Sequence, residues 1–226
     1  MRAVIFDFDG VLVNSEPLHY EALRQSLLPE GIDVSEEEYA LFYLAYNDRE
    51  GARIAFERHG MAFDASRVEA VATRKAAAFE VLMSSVPFFP GAKELVRALA
   101  EEVPLAIASG ALRREIETIL TGGGLRDAFA AIVGADDVSR GKPDPEPYLT
   151  ALARLAHLAP GLAAGDCVVF EDSMPGIVSA RAAGMRVVAV THSYPAARLS
   201  AAHQVVDSLA GLRPAELRSL FTPSPA

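Results

Sequence analysis

Residues 4–10, near the start of a chain of 226 residues, read Val-Ile-Phe-Asp-Phe-Asp-Gly and indicate the architecture. Three consecutive apolar residues predict a short strand that is buried on both faces, as in a parallel sheet. Two aspartates, Asp7 and Asp9, follow where this strand ends. Ligands of parallel α/β sheets bind beyond the carboxyl ends of the strands, so both aspartates are predicted to lie at the functional edge.

Three further short apolar runs also end in polar residues. Helical patterns separate the runs, which predicts an α/β fold built on a parallel sheet. Residues at the strand ends are therefore expected to converge, although most of the chain lies between them. These residues are Ser109 and Gly110 after residues 105–108, Lys142 after residues 132–133, and Glu171 and Asp172 after residues 167–170.

Composition and charge limit the class of protein. Apolar residues make up 51% of the chain and charged residues 23%, as in ordinary globular domains. The net charge is −9, and no basic stripe would displace counterions from a nucleic acid, so nucleic acid is not expected as a partner. No segment approaches the roughly 20 apolar residues that span a bilayer. Because no signal peptide is recognisable, we expect a cytosolic protein that does not bind membranes.

A long helical segment interrupts the alternation of strands and helices. Pro17 suits the first turn of a helix at the start of this segment. Three pairs have the spacing of a capping box, which marks the start of a helix: Ser35 with Glu38, Asn47 with Glu50, and Ser66 with Glu69. We therefore predict an inserted helical domain over residues 15–87, and a core formed by residues 1–14 and 88–226.

Asp7 and Asp9 are suited to chemistry on a phosphate group. Side chains two residues apart on an extended segment point the same way, so the two carboxylates are expected to lie close together. At about 5 Å and an effective dielectric constant near 20, their repulsion is roughly 3 kcal/mol. A cation, or a proton on one of the two carboxylates, would relieve this repulsion, and Mg²⁺ suits the site because it prefers carboxylate, water and phosphate oxygens. Asp7 is then a candidate nucleophile, and Asp9 a candidate acid and base.

The other strand ends supply the remaining parts of a phosphoryl-transfer site. Glu171 and Asp172 are candidate metal ligands. Lys142, Ser109 and Gly110 are candidates for binding the phosphoryl oxygens. Phosphoryl transfer is accelerated chiefly by positioning and by positive charge near those oxygens, so these groups are the ones that the chemistry requires.

Other kinds of site do not match the sequence. Pro143 follows Lys142 at the position where a P-loop needs Ser or Thr to bind the metal. No glycine-rich dinucleotide fingerprint follows the first strand, and no Gly-x-Ser-x-Gly elbow for acyl transfer is present. The sequence therefore favours phosphoryl transfer over nucleotide binding or acyl transfer.

Taken together, these motifs resemble the haloacid dehalogenase-like hydrolases, in particular their branch of β-phosphoglucomutase-like proteins and small-metabolite phosphatases. The resemblance implies a Rossmann-like core of three layers with a helical cap inserted after the first strand. It rests on DFDGVL at residues 7–12, Pro-Gly at 90–91, Ser109, Gly-Lys-Pro at 141–143, and Glu-Asp-Ser at 171–173 with Gly176.

The resemblance also implies roles for these residues. Asp7 would be the nucleophile and Asp9 the acid and base. Ser109 and Lys142 would bind the transferring phosphoryl group. Mg²⁺ would be bound by Asp7, the backbone carbonyl of Asp9, Glu171 and Asp172. Dehalogenases of this superfamily lack the second aspartate, because departure of a halide needs no proton donor, so Asp9 argues against dehalogenation.

By the same resemblance, the cap is expected to choose the substrate. His19, Arg49 and Lys75 fall near positions that the sugar-phosphate mutases use in their caps. Arg49 lies in the first turn of a predicted helix, where a cation opposes the helix dipole, so a distal phosphate or solvent must compensate. Arg113 stands where these mutases carry a smaller polar side chain, which weakens the mutase assignment and adds a candidate for anion binding.

Three functions are compatible with this site. We favour a Mg²⁺-dependent phosphatase of a small phosphorylated metabolite, either a sugar phosphate or a related polyol. A β-phosphoglucomutase-like phosphosugar mutase is the alternative, motivated by His19, Arg49 and Lys75. A phospho-accepting signalling module is disfavoured, because receiver domains carry the acceptor aspartate on a middle strand and have no use for a long insertion. We expect a monomer or a small homo-oligomer.

Overall fold

The computed structural model describes residues 1–43 and 46–221, which divide into two units. The first unit consists of Met1–Asn14 and Pro87–Ala226 and contains the sheet, and the second is Ser15–Val86. That the second unit selects the substrate stays a prediction.

A parallel sheet of six strands forms the centre of the first unit, in the order β3-β2-β1-β4-β5-β6. This sheet confirms the predicted α/β class and its Rossmann-like core. The first strand of the chain lies between the second and the fourth, which is why residues distant in sequence share one edge. The strands are β1 (Ala3–Phe6), β2 (Leu105–Ala108), β3 (Phe129–Val133), β4 (Cys167–Glu171), β5 (Arg186–Val190) and β6 (Gln204–Val206).

Helices follow the strands in the first unit and make up the second. In the part of the chain that the structure describes, the α-helices are α1 (Glu16–Leu27), α2 (Glu36–Phe42), α3 (Asp48–Arg58), α4 (Ala65–Leu82), α5 (Ala92–Ala100), α6 (Arg113–Gly122), α7 (Glu146–Leu155), α8 (Met174–Ala182) and α9 (Pro214–Arg218). Short 3₁₀ turns connect several of them.

The central strands are buried on both faces, as their apolar runs predict. Every residue of β1 and β2 is buried. Alternate residues of a strand face opposite sides, and Ile5 belongs to a core cluster that includes Tyr148 of α7 and Ile177 of α8. Its neighbour Phe6 stacks on Phe170 of β4, with ring centroids 4.9 Å apart. This packing holds the ends of β1 and β4 in a fixed register.

The strand β6 is not among the predicted strands, and the predicted β4 ends one residue early. Three half-buried residues form β6, too few for a recognisable alternation of apolar and polar positions. Glu171, assigned above to the segment after the strand, is the last residue of β4 and is fully buried. A charged residue ends an apolar run in sequence, but here its carboxylate finds hydrogen-bond partners inside the protein.

Two of the three predicted caps in the second unit form. Ser35 caps α2 and Asn47 caps α3 through their side chains, as their spacing predicts. The predicted pair of Ser66 and Glu69 is wrong. Asp64 caps α4 instead, because its side chain accepts the backbone N–H of the third helical residue at 2.9 Å. Aspartate caps helices as well as serine does, and Asp64 stands nearer the start.

None of the helices in residues 1–43 and 46–221 is long and apolar enough to cross a membrane. The expected cytosolic location, the absence of a nucleic-acid partner and the oligomeric state all stay predictions.

Candidate active site

The ends of β1 and β4 bring three acids together. Asp7 directly follows β1, Glu171 ends β4, and Asp172 comes next in the chain. These two strands pair in parallel, with Phe6 opposite Phe170. One side-chain oxygen from each of the three acids lies within 4.8 Å of the others, and all three residues are buried. The acid cluster of Asp7, Glu171 and Asp172 is therefore able to hold a metal ion.

The ammonium group of Lys142 lies against this acid cluster. Its Nζ atom is 2.9 Å from Asp7 Oδ1 and 2.6 Å from Glu171 Oε1. Burial alone would lower the pKa of Lys142, but the Asp7 and Glu171 carboxylates outweigh it and raise the pKa above its ordinary value. The lysine therefore stays charged at neutral pH and joins the loop after β3 to the ends of β1 and β4.

Glu171 accepts hydrogen bonds on both of its oxygens. Oε1 accepts from Lys142 and from the phenol of Tyr148, each at 2.6 Å. Oε2 accepts from the backbone N–H groups of Asp172 and Ser173 and from the Ser173 hydroxyl. A carboxylate offers about four acceptor positions, so these contacts occupy Glu171 largely with protein donors. This geometry suits positioning of Lys142, and direct metal ligation by Glu171 stays a prediction.

The acid cluster carries more negative than positive charge. Its three carboxylates, when ionised, carry three negative charges against the one positive charge of Lys142, which contacts Asp7 and Glu171. Burial, together with Glu171 and Asp172, raises the pKa of Asp7 despite that ammonium. Burial also raises the pKa of Asp172 to about 6. A divalent cation would offset this excess charge, and an all-oxygen donor set suits a hard cation such as Mg²⁺.

Two glycines let loops approach the acids closely. Gly10 has a φ of +75°, and a Cβ atom there would collide with Asp172 Oδ2 and lie 2.7 Å from Ser193 Oγ. A Cβ atom at Gly176 would overlap the carboxylate of Glu171. Any larger residue at these two positions would displace an acid, so the spacing of the acids depends on both glycines.

Asp9, Ser109 and Gly110 lie at the same edge of the sheet. Asp9 is half-buried in the turn after β1. Ser109 directly follows β2, is buried, and accepts the backbone N–H of Ala111 at 3.1 Å through its hydroxyl, which can still donate its own proton. At Gly110 an added side chain would meet open space. The catalytic role of Asp9 and the phosphate-binding roles of Ser109 and Gly110 stay predictions.

Arg113 forms an ion pair with Asp137. Its Nη2 atom donates to both oxygens of Asp137, at 2.6 and 2.7 Å, and Arg154 donates to the same carboxylate at 2.7 Å. Burial acts in the opposite direction, but the hydrogen bonds from Arg154 and Arg113 lower the pKa of Asp137. An anion would have to compete with this carboxylate for Arg113, so the predicted anion-binding role has a structural alternative.

Arg49 of the second unit is likewise paired. Its guanidinium makes two hydrogen bonds to Glu69, at 2.7 and 2.9 Å, between exposed side chains. A distal phosphate or solvent is the predicted compensation for the charge of Arg49 in the first turn of its helix. Glu69 of α4 supplies the compensating charge instead. Substrate binding by Arg49 stays a prediction.

His19 and Lys75 of the second unit lie close enough to affect each other. The imidazole of His19 stacks on Phe79, with centroids 4.1 Å apart. Lys75 is buried and forms an ion pair with Asp48. Burial, followed by the charge of Lys75, lowers the pKa of His19 to about 4, so its ring is neutral at pH 7. The predicted contacts of His19 and Lys75 with substrate stay predictions.

Two contacts of the acid cluster, Tyr148 and Ser193, are not among the predicted site residues. Tyr148 donates to Glu171 from α7, but an aromatic residue on the buried face of a helix has no sequence signal that separates it from ordinary core. The Ser193 hydroxyl donates to Asp172 Oδ2. Ser193 lies in the loop after β5 (Arg186–Val190). The expectation that polar residues after parallel strands converge, applied to this strand as well, points to Ser193.

Comparison with known proteins gives the family. The family model of haloacid dehalogenase-like hydrolases matches residues 4–190. A phosphorylated carbohydrates phosphatase of Thermotoga maritima is 35% identical over 195 residues, which cover 85% of this chain and 87% of that protein. The bifunctional riboflavin kinase/FMN phosphatase of Arabidopsis thaliana is 32% identical over 218 residues, but this chain spans only 54% of its length.

A solved structure agrees with these relatives. The HAD family hydrolase of Deinococcus radiodurans R1, crystallised with bound phosphate and sodium, is 31% identical and superposes with a TM-score of 0.76. The match covers 100% of this chain and 99% of that one. The motifs, the sheet and these matches agree, and the chain belongs to the haloacid dehalogenase-like hydrolases, in the branch of small-metabolite phosphatases and β-phosphoglucomutase-like proteins that its sequence predicts.

Proposed function

We propose that this protein is a Mg²⁺-dependent phosphatase of a small phosphorylated metabolite, either a sugar phosphate or a related polyol phosphate. The observation that carries the proposal is the contact of Lys142 with Asp7 and Glu171, beside Asp172. A nucleophile, a cation for phosphoryl oxygens and metal-binding acids thereby share one buried cluster. The phosphorylated carbohydrates phosphatase among the relatives supports a carbohydrate substrate.

Asp7 is the nucleophile in this proposal. One of its oxygens bonds to phosphorus while the bond from phosphorus to the metabolite oxygen breaks, which gives an aspartyl-phosphate. The Lys142 ammonium, 2.9 Å from Asp7 Oδ1, lies where its charge would stabilise the transferring phosphoryl oxygens. Ser109 donates its hydroxyl to the same group. Asp7, Glu171, Asp172 and the backbone carbonyl of Asp9 would hold Mg²⁺, which would supply further positive charge beside the phosphoryl group.

Asp9 moves the protons in this proposal. It gives a proton to the departing metabolite oxygen and then accepts one from the water that attacks the aspartyl-phosphate. That attack breaks the bond between phosphorus and the Asp7 oxygen, releases inorganic phosphate and restores the free carboxylate. Asp9 ends the cycle protonated, as it began.

A panel of phosphate monoesters tests the proposal. Wild type and Asp7→Asn are incubated with sugar phosphates, polyol phosphates and p-nitrophenyl phosphate, with Mg²⁺ or with EDTA, and released phosphate is measured. We expect release from at least one carbohydrate phosphate with Mg²⁺ and none from Asp7→Asn. The absence of Mg²⁺-dependent release from every substrate would overturn the proposal, as would equal activity of Asp7→Asn.

The same panel separates hydrolysis from the mutase alternative. A phosphosugar mutase would convert glucose 1-phosphate to its isomer, with stimulation by a sugar bisphosphate and little free phosphate. A phosphatase would release phosphate in step with substrate loss. We expect the second result, because Arg49, which is one of the residues that motivate the mutase alternative, is already paired with Glu69.

A further inference from the structure

The loop after β5 contacts both segments that build the acid cluster. β5 pairs with β4, with Ala189 opposite Glu171, so this loop leaves the sheet beside Asp172. Two consecutive residues of the loop, His192 and Ser193, reach towards the acids. Neither residue carries a role in the proposed chemistry.

Ser193 holds the carboxylate of Asp172. Its hydroxyl donates to Oδ2, which fixes the rotation of that carboxylate about its terminal bond. A carboxylate offers about four acceptor positions, so one hydroxyl contact leaves oxygen lone pairs for a cation. Glu171 differs in this respect, because donors from the protein occupy both of its oxygens. Asp172 is therefore oriented by the protein while it still has ligand capacity.

His192 anchors the same loop on the turn after β1. Its Nδ1 atom is 3.0 Å from the carbonyl oxygen of Gly10, and its ring stacks on Phe89 with centroids 3.8 Å apart. Gly10 in turn packs so closely that a Cβ atom there would meet both Asp172 and Ser193. The loop that carries Ser193 is thus anchored to the turn after β1 through His192, and the backbone at Gly10 packs closely against the Ser193 hydroxyl.

We propose that Ser193 is a positioning residue of the metal centre, which sets the affinity for Mg²⁺ through its hydrogen bond to Asp172. The inference rests on the proposed function in one respect, namely that the acid cluster binds Mg²⁺. Residues that hydrogen-bond to a metal ligand, without contacting the metal, commonly change the metal affinity by 10- to 100-fold when they are replaced. Without the Ser193 hydroxyl the Asp172 carboxylate is free to rotate. Binding of Mg²⁺ then has to restore the orientation in which this carboxylate ligates the ion.

Metal binding itself provides the test, independent of turnover. Mg²⁺ is titrated calorimetrically into wild type, Ser193→Ala and Thr191→Val, and the metal-free melting temperature of each is recorded. Thr191 is a matched control, because its hydroxyl lies in the same loop but donates to Asp207. We expect Ser193→Ala to raise the Kd for Mg²⁺ at least about tenfold, and Thr191→Val to leave it within about twofold.

A second pair of variants guards against a trivial loss of folding. Ser193→Thr and Ser193→Val have side chains of nearly equal shape and differ in the hydroxyl, so the inference predicts tighter Mg²⁺ binding by Ser193→Thr. Equal Kd values for wild type and Ser193→Ala, or for this pair, would overturn the inference while leaving the phosphatase proposal intact. If wild type itself bound no Mg²⁺, both would fall.

Discussion

The two units of the chain balance the charge of a lysine differently. Lys142 of the first unit contacts two carboxylates, Asp7 and Glu171, whose side chains are 12% and 0% exposed. Lys75 of the second unit pairs with Asp48, whose side chain is 41% exposed. The first lysine therefore sits inside an excess of buried negative charge, whereas the second belongs to a pair that water can still solvate.

This difference shows that the unbalanced negative charge lies at the acid cluster of the first unit. Parallel strands that end at one edge gather acids whose charge Lys142 does not balance, and in our proposal a cation and a phosphate group complete the site of the first unit. In the second unit, Arg49 and Lys75 each have an acid partner within that unit. Five experiments test this contrast.

The largest effect is expected from Asp7→Asn. The substitution removes the nucleophile, so phosphate release should fall by at least about a thousandfold. Asp166→Asn is the control, because Asp166 pairs with Arg2 on the surface of the same unit and its loss should leave the rate unchanged. Phosphate release by both variants is compared at saturating Mg²⁺. A comparable loss in both would mean that Asp7 acts only through net charge.

The two lysines are compared by Lys142→Met and Lys75→Met in the metal-free protein. Removing Lys142 leaves buried carboxylates without a cation, which should lower the free energy of unfolding by about 3–5 kcal/mol. Lys75→Met should cost about 1 kcal/mol, because Asp48 keeps contact with water. Urea denaturation at neutral pH measures both. An equal cost at the two sites would contradict the proposed contrast between the units.

Mg²⁺ affinity should depend on pH through Asp172. Burial raises the pKa of this carboxyl to about 6, and the protonated form cannot ligate a metal. Affinity should therefore be full above that pKa and fall by up to about tenfold per pH unit below it. Calorimetric titration at several pH values, with proton release followed by buffers of different ionisation enthalpy, measures this. Affinity that stays constant as the pH falls through 6 would contradict the assignment.

The pKa of Asp172 also affects the metal-free protein. Because the folded-state pKa lies above the unfolded one, the stabilising contribution of protonation is present at low pH and is lost as the pH rises through about 6. Asp172→Asn should therefore stabilise the metal-free protein near neutral pH, with the gain fading as the pH falls towards the unfolded pKa. Thermal melts at several pH values show whether the gain has this sign.

The smallest effect is expected from Arg49→Ala. The side chains of Arg49 and Glu69 are 68% and 55% exposed, so the melting temperature should change less than for Lys75→Met. KM for the best substrate of the panel is measured alongside. A rise in KM with the melting temperature unchanged would support substrate contact by Arg49, whereas a melting temperature lowered as much as by Lys75→Met would contradict the view of this pair as a solvated surface contact.

The sequence predicted the first unit well for a physical reason. Apolar runs identify buried strands, and the topology of a parallel sheet carries Asp7, Lys142, Glu171 and Asp172 to one edge whatever their separation along the chain. Partners across helices have no such rule. Arg49 and Glu69 lie 20 residues apart on two helices, and the sequence offers many other acids that Arg49 is free to meet.

Residues that hydrogen-bond to the acid cluster from neighbouring helices could not be predicted for a related reason. Tyr148 occupies an apolar position of α7 and makes its contact through one terminal oxygen.

The cap of α4 was mispredicted because two candidate residues lie close together. Asp64 caps this helix, two residues before the predicted Ser66. Such choices depend on side-chain packing and on small differences in free energy, which periodicity and spacing do not encode.

The most direct test of a nucleophile at Asp7 uses Asp9→Asn with p-nitrophenyl phosphate and Mg²⁺. The p-nitrophenolate group leaves without needing a proton, whereas water attack on the intermediate needs a base, so the variant should stall after the first transfer. Rapid quenching and peptide mass spectrometry should find one phosphoryl group on the peptide that contains Asp7, with one equivalent of p-nitrophenolate released. A phosphoryl group on any other residue, or no release at all, would contradict the account.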